Sequence, residues 1–344
     1  MAYLMNSWYA AAWSEDIGSS PMARTILGRP VVFYRDRAGG PVALEDRCCH
    51  RGLPLSMGEV IGDDLRCGYH GLKFDATGRC VDVPGQSQIP PGARVESYPV
   101  VVRHRMVWIW MGQPELADAE PIPDLFWHDD PAWVSTEEHI EIDCDYRLLI
   151  DIQLDATHAT YVHVSTLASD AIQETPPEVI RDGDFLHVRR WMLDVAPPPI
   201  WVSAGGFTGN VDRWILATYE PPSLCAFDIG AAVVGTGAPE GERGQGITNR
   251  TTHLMTPATA NSTHYFWLFA RNYGLDDETL SERVHGAIAE TFHEDVEIVE
   301  MQQRSIAADP VGAQLDVSAD RPTVQARRLL ERLIAAQAKQ ENAI

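Results

Sequence analysis

The chain has 344 residues, 45% of them hydrophobic, enough to bury a large core and consistent with two domains. Its formal net charge of −22 argues against nucleic acid and anionic membrane as partners. Six cysteines, two of them adjacent, do not form the pattern of a disulfide framework, so a reducing cytoplasm is the expected setting.

The opening MAYLMNSWYAAAWSED carries no basic run, the first cation being Arg24, which argues against a secretory signal. No apolar run has the length of a membrane span, and no internal repeat or low-complexity tract occurs. Short runs with β character follow at Val31–Tyr34, Pro41–Leu44, Arg94–Val102 and Val107–Met111. Gly39-Gly40, Asp75–Gly78 and Pro90–Gly92 punctuate them. Residues 1–120 are therefore expected to form a small all-β domain. Trp108 and Trp110 alternate with Val107, Ile109 and Met111, which reads as core packing on both faces.

Within this domain Asp46–Phe74 reads DRCCHRGLPLSMGEVIGDDLRCGYHGLKF. Cys48-x-His50 and Cys67-x-x-His70 are two short hooks, with sixteen residues between His50 and Cys67. Two Cys with two His suit a Rieske [2Fe–2S] centre, the imidazoles on one iron. Structural zinc is the rival. Zinc hooks usually pair Cys with Cys and His with His, whereas each hook here mixes them, and Gly52, Pro54, Gly68 and Gly71 flank both hooks.

From Gln113 to Trp133 the composition turns acidic and proline-rich, which predicts a surface connection, with His128 an exposed loop histidine. The second domain is expected over residues 121–344. In DCDYRLLIDIQLDATHATYVH, Asp143–His163, Asp155 and His158 are i,i+3 neighbours on a helical pattern. His158 and His163 are five apart, so the helix must end or bulge for both to meet one metal. A 2-His-1-carboxylate iron site needs a further carboxylate. Asp295 falls on the apolar stripe Val284, Ile288, Phe292 and Val299 of a long helix from about Glu278, while Glu290, Glu294 and Glu297 lie off it and are expected to be solvated. Strand-like runs at Val211–Tyr219, Ala226–Val234, Thr248–Met255 and His264–Ala270 suggest an antiparallel sheet, with loops at Ala196–Pro199 and Gly205–Gly209 over a pocket mouth. Thr323–Gln340 reads as an amphipathic packing helix.

These motifs, with Cys67-Gly68-Tyr69-His70-Gly71, Asp155-x-x-His158-x-x-x-x-His163, a late Asp295 and the opening Asn6-x-Trp8-Tyr9, resemble the Rieske non-haem iron oxygenase α-subunits over essentially the whole chain. In particular the chain looks like the vanillate O-demethylase oxygenases and their dicamba- and toluenesulfonate-oxidising relatives. It departs from their pattern at Cys49, where proline is usual, and at Asp151-Ile152-Gln153-Leu154-Asp155, where Asp-Asn-Leu-Met-Asp is usual. The resemblance implies an α+β protein, an all-β Rieske domain followed by a helix-grip catalytic domain whose curved antiparallel sheet wraps a long helix. It implies a [2Fe–2S] cluster on Cys48, His50, Cys67 and His70, and mononuclear Fe(II) on His158, His163 and Asp295.

Asp155 is expected to orient His158 and, by resemblance, to reach a Rieske histidine of a neighbouring subunit in a head-to-tail homotrimer. His253, in a Thr-His-x-x-Thr-Pro context, is the first expected substrate contact and Asp228 the second. Arg213 and Arg250 are candidates for meeting a substrate carboxylate. The implied reaction is O2-dependent demethylation of a methoxylated, vanillate-like aromatic acid to a phenol and formaldehyde. Its electrons come from NAD(P)H through a reductase bearing flavin and a ferredoxin-type cluster. Hydroxylation of another methyl or ring position, a Rieske electron carrier without oxygenase activity, and a zinc-stapled interaction protein remain the alternatives.

Overall fold

Eleven strands occupy the N-terminal part of the computed structural model, which describes residues 2–119, 121–312 and 314–341. They are β1 (Trp8–Trp13), β2 (Met22–Ile26), β3 (Arg29–Arg35), β4 (Pro41–Glu45), β5 (Glu59–Ile61), β6 (Asp64–Arg66), β7 (Lys73–Phe74), β8 (Cys80–Asp82), β9 (Ser97–Tyr98), β10 (Val100–Arg103) and β11 (Met106–Trp110). Three sheets result, ordered β1-β11-β10, β2-β3-β4-β9 and β5-β6-β7-β8. The two-residue period of β3 gives it a separate core on each face. Val31 and Phe33 pack on Tyr9, Val107 and Ile109, while Val32 and Tyr34 face Cys48, Leu55, Cys67, Leu72 and Phe74. Trp108 and Trp110 are buried as expected, each indole N–H donating to a backbone carbonyl, of Arg103 and Gln113 respectively.

The remainder is α+β. Its elements are β12 (Val134–Ile142), α1 (Tyr146–Leu154), α2 (Ala159–Val162), α3 (Asp170–Glu174), β13 (Glu178–Asp182), β14 (Phe185–Val195), α4 (Pro199–Gly205), β15 (Val211–Glu220), β16 (Leu224–Val233), β17 (Ile247–Thr259), β18 (Ser262–Arg271), α5 (Glu278–Ala308) and α6 (Arg321–Glu341). The strands make one seven-stranded antiparallel sheet, ordered β12-β18-β17-β16-β15-β14-β13. The chain divides into two compact units, Met1–Leu125 with Thr256–Ala260, and Phe126–Met255 with Asn261–Ile344.

Local sequence accounts for the placement of α5. Asp277 caps it by accepting from the Leu280 amide, and Ile288, Thr291, Phe292, Asp295 and Val299 form the buried stripe at helical spacing. Residues between the anticipated mouth loops form α4, with Pro199 in the first turn and Gly206 in the left-handed conformation at its C-terminus. One expectation is corrected. His128 is buried, not exposed, its Nε2 lying 3.1 Å from Glu137 Oε2. No helix among the described residues is long and apolar enough to cross a membrane.

Candidate metal centres

The two Cys/His hooks fold as a matched pair. The Cys48 amide donates to Leu53 O and Gly52 N donates back to Cys48 O; Cys67 N donates to Leu72 O and Gly71 N to Cys67 O. Gly52 and Gly71 close these turns at φ of +73° and +75°, a region that disfavours any side chain. Cys48 and Cys67 are buried and face each other, while His50 and His70 are exposed with ring centroids 4.5 Å apart. Burial, reinforced by the facing Cys67, pushes the Cys48 thiol up to about 11. Two sulfurs so placed are held as thiolates only beside strong positive charge. Cys49 points outward, which leaves Cys48 as the thiol of the first hook. Two inner sulfurs and two outer imidazoles are the donor set of a Rieske cluster.

In the second unit α1 stops at Asp155, a 3-10 turn covers Ala156–His158, and α2 begins at once. That break brings His158 Nε2 to 3.2 Å from His163 Nε2. Asp295 Oδ1 lies 3.3 Å from the first and 3.1 Å from the second. Mutually cis ligands at about 2.1 Å from a metal sit about 3.0 Å apart, so this triangle fits one ion. Asp295 Oδ1 is buried and, though close to both imidazoles, makes no directed hydrogen bond to either. The three atoms converge on a common point. Burial acts to raise the Asp295 carboxyl, but the two facing imidazoles outweigh it and hold the group down at about 2. For His163, burial lowers the imidazolium pKa and the Asp295 and Glu294 carboxylates more than restore it.

The surrounding bonds correct two sequence expectations. His158 Nδ1 meets the backbone carbonyl of Asp155, not its carboxylate, whose Oδ1 accepts from the Thr157 amide at 3.0 Å. Glu294 is not simply solvated: its Oε2 lies 2.7 Å from His163 Nδ1. A carbonyl or carboxylate only accepts, so each ring carries its proton on Nδ1 and turns the Nε2 lone pair toward the shared point. Gln153 was not singled out by sequence; its amide approaches Asp295 Oδ2 at 3.5 Å, from the position after the missing asparagine. A polar residue on the buried face of α1 was the available signal.

The three ligand candidates open on a cavity of about 110 Å³ walled by Ile215, Phe227, Ile229, Phe269 and Phe292. An apolar cavity of ~150 Å³ admits benzene, so this one, at about 110 Å³, has no room for more than one ring. His253 lines it, with Nδ1 2.6 Å from the Tyr265 hydroxyl, and burial pushes its imidazolium pKa down to about 3, leaving it neutral. Asp228 does not reach the cavity, which corrects its expected role. It projects from the opposite face of β16, where it accepts from Trp214 Nε1 and is paired with Arg243 at 2.7 Å and Arg250 at 3.2 Å. Arg250 is thereby engaged as well. A second group, His139, Glu141 and His264, also has ligand atoms within metal-binding range, but none of the three lines the cavity.

Comparison with known proteins decides between the open readings. Residues 7–99 match the family described as the Rieske [2Fe-2S] domain, and residues 142–336 match the vanillate O-demethylase oxygenase C-terminal domain. The chain belongs to the Rieske oxygenases. The oxygenase is 41% identical over 340 residues to the iron-sulfur subunit of the toluene-4-sulfonate monooxygenase system of Comamonas testosteroni, covering 97% of this chain and 98% of that one. It is 36% identical to the vanillate O-demethylase oxygenase subunit of a Pseudomonas strain, with 96% and 95% covered. The crystal structure of dicamba monooxygenase with non-heme iron and dicamba superposes with a TM-score of 0.83 at 31% identity, covering 99% and 100% of the two chains.

The oxygenase is thus an oxidoreductase carrying a [2Fe–2S] cluster and using a mononuclear iron, the oxygenase component of a multi-component aromatic monooxygenase with a separate reductase. Zinc stapling and a pure electron carrier are set aside by the two family matches together.

Proposed function

We propose that the oxygenase demethylates a methoxylated, vanillate-like aromatic acid, with Cys48, His50, Cys67 and His70 holding the cluster and His158, His163 and Asp295 the iron. The observation that carries this reading is the convergence of three ligand atoms on one wall of a ring-sized apolar cavity. When bound, ferrous iron supplies O2 activation and the cluster supplies electrons singly. The residues do the rest. Asp155 O and Glu294 fix the two imidazole tautomers, Gln153 steadies Asp295, and the Phe227, Phe269 and Phe292 walls keep bulk water from the substrate methyl group. Neutral His253, with Nδ1 taken by Tyr265, offers Nε2 to the substrate. In balance, one atom of O2 enters a methyl C–H bond and the other leaves as water. Two electrons from NAD(P)H and two protons are consumed, and the hemiacetal breaks its C–O bond to phenol and formaldehyde.

The electrons arrive through a flavin- and ferredoxin-type reductase, and the free cysteines suit a reducing compartment such as the cytoplasm. The working form is a homotrimer in which Asp155 also meets a Rieske histidine of the neighbouring subunit; sedimentation of the holoprotein as a monomer overturns that part. Formaldehyde release across a panel of methoxybenzoates, with reductase, NADH and O2, tests the reaction, and His158→Ala is expected to abolish it. Hydroxylation of a ring methyl group is the second reading, favoured by the 41% identical toluene-4-sulfonate relative. Benzylic alcohol without formaldehyde identifies it.

A further inference from the structure

Among the described residues Arg190, Arg213 and Arg271 are buried without an ion pair, and of these Arg213 alone has guanidinium nitrogens without a hydrogen-bond partner. Arg213 is 2% exposed and lines the cavity, yet its Nε and Nη1 have no hydrogen-bond partner. The charged group acting on it is another cation, Arg190, which is occupied with the carbonyls of Ile172 and Thr175. The neighbouring acid cannot help: Asp228 lies on the other face of the sheet, bridged to Arg243 and Arg250. A cation withdrawn from water with nothing opposite it is costly, and an anion entering the cavity removes that cost. A guanidinium fork matches a carboxylate or sulfonate with two parallel hydrogen bonds.

Strand register locates this group relative to the ligand candidates. Across β15, β16 and β17 the inward rungs run Arg213–Ala231–Ile247, Ile215–Ile229–Asn249, Ala217–Phe227–Thr251 and Tyr219–Cys225–His253. Ala159, next to His158, packs with Met192, the β14 partner of Arg213 on the first rung, and with Ile215, on the second. His253, on the fourth, has its ring 4.9 Å from Phe292, one helical turn before Asp295. The histidine segment therefore lies over the first and second rungs, and Arg213 opens on the same cavity as His158, His163 and Asp295. Asn249, whose Oδ1 is also without a partner, stands on the rung beside it.

We propose that Arg213 is the anion-recognition residue of the oxygenase, taking the carboxylate or sulfonate of a single-ring aromatic acid inside the cavity that His158, His163 and Asp295 also line. The assignment rests on the oxygenase reading of this cavity, and its test needs no turnover. Calorimetric titration of the iron-loaded oxygenase, without reductase or reductant, uses 4-methoxybenzoate and toluene-4-sulfonate against the neutral 4-methoxybenzamide and toluene-4-sulfonamide.

Wild type is expected to bind the anions about 10- to 100-fold more tightly than the amides. Arg213→Met is expected to erase that preference and Arg213→Lys to restore part of it. Equal affinity for anions and amides in wild type, no binding of either anion, or anion affinity undiminished in R213M overturns the proposal. The wild-type comparison stands alone if R213M does not fold. Aryl anions bound through Arg213 by a protein that releases no oxidised product would overturn the demethylase reading while leaving this one intact.

Discussion

At the residue scale, second contacts decide how well the iron ligands are aimed. Gln153 reaches Asp295 at the limit of hydrogen bonding, from the position after Ile152. Gln153→Leu is expected to weaken mononuclear iron binding about 10- to 100-fold, read by iron content after dialysis, with the cluster's visible absorption unchanged. Asp295 was legible because it interrupts an apolar stripe. Glu294 was not, because about 100° per residue turns it off that stripe, and its partner His163 arrives from a segment 131 residues away. Glu220 carries a pH signature remote from the irons. Burial pushes its carboxyl up to about 7, so between its unfolded pKa of about 4.3 and 7 the native state binds the extra proton. Stability from this group therefore falls as pH rises through that window. Glu220→Gln is expected to melt higher than wild type at pH 8 and at the same temperature at pH 4.

At the scale of elements, the break after α1 is the feature on which the metal site depends. The i,i+5 spacing of His158 and His163 required an interruption, and the chain supplies it with Asp155 as both the end of one helix and the cap of the next turn. The uninterrupted side of α1 is anchored by Leu149, which is fully buried. Leu149→Ala is expected to cost about 2–5 kcal/mol in denaturant unfolding and to loosen iron binding with it. The strands β15 to β18 were legible from their apolar runs. The strand β14 was not, because its inward positions Leu186, Val188, Arg190 and Met192 include a buried arginine, which defeats an apolar/polar count. The edge strand β12 failed for a related reason: Glu137, Glu138, His139 and Glu141 fill most of its centre.

For the whole molecule, the ligand candidates of each centre fall within one unit, close in sequence in the first and drawn from α1–α2 and α5 in the second. Cys67→Ser is accordingly expected to abolish the cluster's absorption while iron bound through His158, His163 and Asp295 persists, so that total iron falls by about two thirds. Gln153→Leu depletes the other centre, and the two variants dissect electron supply from oxygen chemistry. Family membership and domain order were readable from a few ligand spacings, since thiolates and imidazoles at fixed separations serve few other purposes. Substrate choice was not, because the inward face of the sheet mixes residues from four strands, and only pairing shows that Arg213 looks inward while Asp228 and Arg250 look out.

That pairing makes the sheet a measuring stick. The places of Arg213, Ile215 and Ile229 on the inward face are set in whole rungs and cannot be altered gradually, because sliding one strand by a residue would exchange its inner and outer side chains. With the acid held by Arg213 as proposed, isomers with the reactive group para, meta or ortho to it are expected to present that group at different distances from His158, His163 and Asp295. On that proposal regiochemistry follows from hydrogen-bond register, and a new preference is expected from exchanging wall side chains such as Ile215 and Ile229 while the strands stay in step.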